Sequence, residues 1–258
     1  MAPGASQKQD SQEPTRSARL SYNLLMVSII IPARNEAEHI TACLDALAAQ
    51  QTKHQFEVIV VESGSTDNTA ELVRHYRALP VKLIVESRPG RGAARAAGVK
   101  AATGDIILST DADSVAPPDW VDQLTNRLDD TCVAVSGTCR INDCDVITNA
   151  VFNWFQPLAM RTYRLFFGHY WLTGSNSAVR LADYEAARGY NPTANDLEDI
   201  DFGFRLSRLG NIKFARDIAV LTDGGRFKHG LVPGIVPYIS VFVQRFWFKK
   251  PAARKHIR

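Results

Sequence analysis

Two carboxylates separated by one residue, Asp111 and Asp113, close the stretch Gly-Asp-Ile-Ile-Leu-Ser-Thr-Asp-Ala-Asp at residues 104–113. Ile106, Ile107 and Leu108 have the composition of a strand buried on both faces, and charge begins where that strand leaves the core. In an open α/β sheet, ligands bind beyond the carboxyl ends of strands, so acids placed there face a ligand rather than a packing partner. Clustered carboxylates repel one another unless a cation sits close by. Mg2+ or Mn2+ bridging to a substrate diphosphate would supply that cation. An acidic turn that caps a helix near Pro117 and Pro118 is the plainer alternative. A second cluster, Asp196, Glu198, Asp199 and Asp201, leads into a later helix, and four acids in six residues exceed what capping needs.

The elements that must position these acids alternate in type. Residues 24–31 form a nearly continuous apolar run that stops at Pro32, followed by the polar loop Ala33-Arg34-Asn35-Glu36. Ile40, Cys43, Leu44 and Leu47 then recur at helical spacing. Residues 56–61 repeat the pattern, closing on the loop of residues 62–69 before a helix that carries Leu72, Val73 and Tyr76. Residues 81–85 make a third strand, and Arg88-Pro89-Gly90-Arg91-Gly92 opens an alanine-rich helix over residues 93–102. Arg91 and Arg95 could face a phosphate there, or belong to a solvated basic turn. Further on, the spacing predicts a helix over 119–128, a strand over 132–137 and a turn with a short strand over 174–179. A helix carrying Phe204, Leu206 and Leu209 then ends at Gly210. Such alternation implies an α/β domain with a mostly parallel central sheet, right-handed crossovers and flanking helices. Residues 146–172 are unusually aromatic, with Arg161 and Arg164 interspersed. An amphipathic core helix, an acceptor groove and a membrane-facing surface all suit that composition.

Charge is distributed unevenly. The formal net charge is +3, yet all 27 Asp and Glu precede Gly224 while eight of the 30 Lys and Arg follow it. A basic end without acids points to an anionic surface as partner. Residues 231–248 are largely apolar, but Pro233, Pro237, Gln244 and Arg245 argue against a spanning helix. The segment 231–258 is expected to lie in a membrane interface or to cover the domain or a dimer partner. Residues 1–22 read as a disordered leader, leaving 23–230 as the folded domain. Cys43, Cys132, Cys139 and Cys144 lack metal-finger spacing and read as reduced thiols of a cytosolic protein.

Five motifs in order define a resemblance: Val-Ser-Ile-Ile-Ile-Pro-Ala-Arg-Asn-Glu (27–36), Glu-Ser-Gly-Ser-Thr-Asp (62–67), Gly-Arg-Gly-Ala-Ala-Arg (90–95), Ala-Thr-Gly-Asp-Ile-Ile-Leu-Ser-Thr-Asp-Ala-Asp (102–113) and Glu-Asp-Ile-Asp (198–201). Over roughly residues 27–227 the chain resembles the family 2 glycosyltransferases, inverting enzymes of GT-A fold that move a sugar from a nucleotide diphosphate to an acceptor. The resemblance implies that Pro32, Ala33, Asn35 and Glu36 line the nucleoside pocket, with Glu62 and Asp67 beside the base or ribose. Asp111, Ala112 and Asp113 would meet the metal and diphosphate, Arg91, Arg95 and Arg226 would assist there, and Asp199 would be the general base with Glu198 beside it. Two departures stand out. Glu62 replaces the usual Asp, and Ala96 replaces the Asn that commonly follows the arginine of the third motif. The expected partners are a UDP- or GDP-linked sugar, a sugar or lipid-linked acceptor and a membrane surface, not nucleic acid. The expected location is cytoplasmic, peripheral to the membrane.

Two other readings compete. A sugar-phosphate nucleotidyltransferase needs a glycine-rich basic loop after its first strand, which residues 32–36 lack. A non-catalytic nucleotide-sugar-binding module has no need of Glu198 and Asp199. The six histidines are scattered. His229 is nearest to a segment that could fold back to the metal, and a surface role is the plainer reading.

Overall fold

The computed structural model describes residues 25–194, 197–227 and the positions 230, 234 and 236. The expected leader, Asp196, His229 and nearly all of segment 231–258 lie outside the described residues.

Four strands alternate with helices as expected: β1 (Met26–Ala33), α1 (Ile40–Ala48), β2 (Gln55–Glu62), α2 (Thr69–His75), β3 (Val81–Val85), α3 (Arg91–Lys100) and β4 (Ile106–Thr110). β1 pairs in parallel with both β2 and β4, and β2 with β3. The chain steps outward from β1 to β3 and then returns across β1 to β4, so the strand order reverses beside β1, where such sheets open a ligand crevice. The remaining elements are β5 (Ser114–Val115), α4 (Trp120–Arg127), β6 (Ala134–Arg140), α5 (Val146–Phe167), β7 (Asn176–Arg180), α6 (Leu181–Ala186), α7 (Glu198–Leu206) and β8 (Ile212–Thr222). They complete an eight-stranded sheet in the order β3-β2-β1-β4-β7-β6-β8-β5. β7 is antiparallel to β4 and β6, and β5 to β8, so the sheet is mixed beyond its parallel half.

Strand alternation builds two cores. Val27, Ile29 and Ile31 point into a layer with Ile40, Leu44 and Leu47 of α1 and Trp120 and Leu124 of α4. Ile30 points the other way, against Ala94 of α3 and Phe202 and Leu206 of α7. Each such fully buried Leu or Ile contributes about 1.5–3 kcal/mol relative to exposure.

Several boundaries differ from those read in the sequence. β1 continues through Pro32 and Ala33, which face Val61 and Glu62 of β2. Proline is tolerated there because β4 pairs only with Val27 through Ile30, leaving no second ladder that needs the missing amide. α3 begins two residues earlier than expected, behind Gly90, whose φ of 110° suits glycine. β8 was not anticipated, because its burial is irregular and Arg216 and Asp217 stand exposed in its middle.

Asn176, fully buried, ties the mixed half together. Its amide nitrogen donates to the carbonyls of Thr138 (2.8 Å) and Ile218 (3.0 Å), and its oxygen accepts from Trp120 Nε1 at 2.9 Å. One side chain thus links β7, β6, β8 and α4. Asn176→Leu removes its bonds to Trp120 Nε1 and to the Thr138 and Ile218 carbonyls, and each buried group left without a partner costs roughly 1–3 kcal/mol. The variant should unfold at markedly lower denaturant concentration than wild type, and an unchanged midpoint would refute this role.

Candidate active site

The ends of β4 and α7 meet through one guanidinium. Arg95, on α3 and 1% exposed, donates from Nη2 to Asp111 Oδ1 at 2.6 Å, from Nε to Ser109 Oγ at 3.1 Å, and from Nη1 to Glu198 Oε1. Its guanidinium also lies 5.8 Å from the centre of the Tyr190 ring. Room for it depends on Gly174, where an added Cβ would meet the guanidinium carbon at 2.7 Å. Burial opposes the Arg95 charge, but Asp111 and Glu198 outweigh it and raise the guanidinium above its ordinary range. Asp113 is held from the far edge of the sheet, where Thr222 Oγ1 and Ser114 Oγ donate to its Oδ1 at 3.2 and 3.3 Å. The amide of Asp223 donates to the Asp113 carbonyl at 3.2 Å.

Asp199, partly buried in the first turn of α7, accepts from Trp171 Nε1 at 3.0 Å and from the Ile200 amide at 2.8 Å. Trp171 packs in turn on Tyr163 of α5, ring centres 6.0 Å apart. Burial pushes Asp199 up, while Arg95 and these two hydrogen bonds work against the rise. Burial likewise pushes Glu198 up to about 7 against Arg95. Asp113 is raised by burial and then by Asp111. Glu36, in the loop after β1, is pushed up to about 7 by burial, then by Asp113 and Asp111. Arg91, exposed at the start of α3, lowers all four. These groups therefore share one electrostatic neighbourhood.

The loops after β1 and β2 are locked to each other. Asn35, at φ 56°, accepts from the Thr66 amide at 2.8 Å, and its own amide donates to Ser65 Oγ at 3.1 Å. Asparagine tolerates this left-handed backbone better than most residues. Asp67 accepts from the Ala37 amide at 3.1 Å and the Thr69 amide at 3.0 Å, and Glu62 accepts from the Ser65 amide. Pro32, Ala33 and Ala112 are buried where these loops converge on the strand ends. The side chains of Asn35, Glu62 and Asp67 are thus engaged in shaping the loops, and Arg95 in joining carboxylates. The 3-10 turn Gly225–Phe227 places the backbone of Arg226 just past Asp223, but its side chain is outside the described atoms.

Sequence reasoning missed Trp171, Thr222 and Asp223 as site residues. Trp171 stood in the aromatic stretch without any sign that it reaches an acid, and the other two sit at the end of the unanticipated β8. Among the described residues, no three His, Cys, Asp or Glu side chains gather into a metal cage. Asp111 and Asp113 offer hard oxygen donors. That suits an ion such as Mg2+ or Mn2+, held by one or two carboxylates with phosphate oxygens completing its shell.

A family model for glycosyl transferase family 2 matches residues 28–186. The chain belongs to this family. The family 2 chain is 30% identical over 203 residues to chondroitin synthase of Pasteurella multocida, a match that covers 76% of this chain and 20% of that protein. It is 30% identical over 141 residues to undecaprenyl-phosphate 4-deoxy-4-formamido-L-arabinose transferase of Serratia proteamaculans, covering 52% of this chain and 41% of that one. The chain therefore spans well under half the length of these relatives. In structure it is similar to a mannosyltransferase of Pyrobaculum calidifontis solved with GDP-Man and Mn2+, with a TM-score of 0.61 at 23% identity over 85% of this chain and 65% of that one. That likeness establishes the GT-A fold for the family 2 domain.

The raised Glu36 has a thermodynamic signature. Its carboxyl titrates near 4.5 when unperturbed and near 7 here, so between those values the folded state holds a proton that the unfolded chain releases. The cost to folding grows as pH rises through this window and is complete above about 7. Glu36→Gln should therefore melt higher than wild type at pH 8 in chelator, with the gain shrinking towards zero by pH 5. A gain independent of pH would contradict the assignment.

Proposed function

We propose that this domain transfers a sugar from a UDP- or GDP-linked donor to an acceptor hydroxyl on a lipid-linked or envelope glycan, with inversion, at the cytoplasmic face of a membrane. The observation that carries this reading is the Asp111–Arg95–Glu198 linkage, which joins the acids at a strand-order switch point to the Glu-Asp pair of α7. The donor's nucleoside would lie against the interlocked loops of residues 33–37 and 62–67, with its diphosphate towards Asp111 and Asp113. A bound divalent ion, held by those two carboxylates, would neutralise the charge that develops on the departing diphosphate.

Asp199 acts as the base. Its carboxylate takes the proton of the acceptor hydroxyl while that oxygen bonds to the anomeric carbon. The bond from carbon to diphosphate oxygen breaks with its electron pair, and the nucleoside diphosphate leaves. A partly buried acid raised above its ordinary range is better matched to this work near neutral pH than a solvated one. Trp171 fixes one carboxylate oxygen and the Ile200 amide the other, which holds the carboxylate in one orientation. Opposite-face attack requires no covalent glycosyl-enzyme intermediate. Support for a lipid-linked acceptor comes from the similarity to an undecaprenyl-phosphate transferase and from the basic, acid-free end of the sequence.

Asp199→Asn should bind donor as wild type does and transfer about 10²- to 10⁴-fold more slowly. Should Glu198→Gln instead bind normally and prove far the more damaging in single-turnover assays, the two roles exchange. Asp113→Ala should stay folded and lose manganese-dependent donor affinity in calorimetry. Undiminished affinity in that variant would remove the metal from this reading.

A further inference from the structure

Helix α5 presents an apolar stripe to solvent. Seven of the eleven strongly exposed large apolar side chains among the described residues lie on this helix. Ile147, Trp154, Leu158 and Leu165 recur at intervals of seven, four and seven, which at 3.6 residues per turn puts them within an arc of about 40° along ~27 Å of helix. Exposure along the stripe runs from 40% at Leu158 to 85% at Leu165. The helix is capped by Asp145 at its start and by left-handed Gly168 at its end, carries Pro157 in its interior, and buries Met160 and Tyr163 on the opposite face.

We propose that this outward face of α5 is a membrane-docking surface that inserts into an anionic phospholipid leaflet. The proposal deepens the membrane-apposed reading above and rests on it. Charge decides between occupants. α5 contains Arg161 and Arg164 and no Asp or Glu, and Arg161 borders the stripe, about 20° beyond its edge. A second copy packed on this face would bury Arg161 with no carboxylate from the facing helix, a desolvation that costs several kcal/mol. At a lipid interface the same arginine reaches outward to headgroup phosphates while its stem stays among apolar neighbours. The nearby acids Asp143 and Asp145 are exposed but engaged: Asp145 caps the helix, and Asp143 accepts from the Gly224 amide at 2.9 Å. The Phe227 ring meets that of Phe152 at a tilt of 59°, with centroids 5.0 Å apart, so the basic end of the sequence begins against this helix. On the inner side, Tyr163 packs against Trp171, the partner of Asp199. The docking face thus lies on the same helix that backs the base.

Full-length protein is tested by co-sedimentation with phosphatidylglycerol–phosphatidylcholine vesicles at low salt. The variants are Trp154→Ser/Leu158→Ser/Leu165→Ser, and Trp154→Phe for fluorescence. Wild type should sediment with the vesicles and show a blue-shifted tryptophan emission that Trp154→Phe abolishes. The triple variant should melt as wild type does and bind at least about tenfold more weakly. If wild type binds and the triple variant binds equally, the docking face is overturned while the membrane reading stands. If wild type fails to bind at all, both fall. If the triple substitution converts a dimer to a monomer in sedimentation velocity without weakening vesicle binding, the stripe is a subunit interface and the proposal is overturned.

Discussion

Burying a guanidinium is the constraint around which this site is arranged. Taking an ion out of water costs several kcal/mol, which is recovered only when good geometry and extra hydrogen bonds satisfy it. Arg95 meets that condition by drawing Asp111 from the end of β4 and Glu198 from the start of α7 to the same side chain, with Ser109 on its third donor. Segments about a hundred residues apart in sequence are thereby set at one distance. Removing Arg95 leaves both carboxylates without their cation, whereas removing one carboxylate leaves the guanidinium paired to the other. The position of α7, and with it Asp199, is therefore as much an electrostatic matter as a packing one.

A second consequence concerns the balance of charge around the strand ends. Glu36, Asp113, Glu198 and Asp199 all have their ionised forms disfavoured by burial, and Arg91 only partly offsets this. Such a cluster is better suited to an anionic ligand that arrives with its own cation than to a naked anion. The two carboxylates of residues 111 and 113 divide the work: one is tied to Arg95, the other is held by hydroxyls from β5 and β8.

Much of this arrangement was legible in the residues themselves. β1, β2 and β4 announced themselves because strands covered on both faces are uniformly apolar, and their polar ends pointed to the loops that converge in space. The order of the five motifs pointed to the family that the comparisons then established. What escaped depended on tertiary placement. β8 carries Arg216 and Asp217 in mid-strand and shifts register against β6 between Ser136 and Thr138, so no single period runs through it. Asn176 looked like part of a short strand, yet its side chain has every hydrogen-bonding group used. Arg95 looked like a donor-side ligand, and its burial between two carboxylates is visible only once α7 is folded back onto α3.

The three-way contact at Arg95 also bears on how this domain can be recombined. A chimera that keeps residues before 115 and takes the segment around α7 from another family member would cut between the guanidinium and one of its two carboxylates. Unless the incoming segment brought an acid to the position of Glu198, the hybrid would leave the buried guanidinium paired to Asp111 alone. The workable seams are those that leave Arg95, Asp111 and Glu198 compatible, so the two halves of the site are constrained to be inherited, or engineered, as a matched pair.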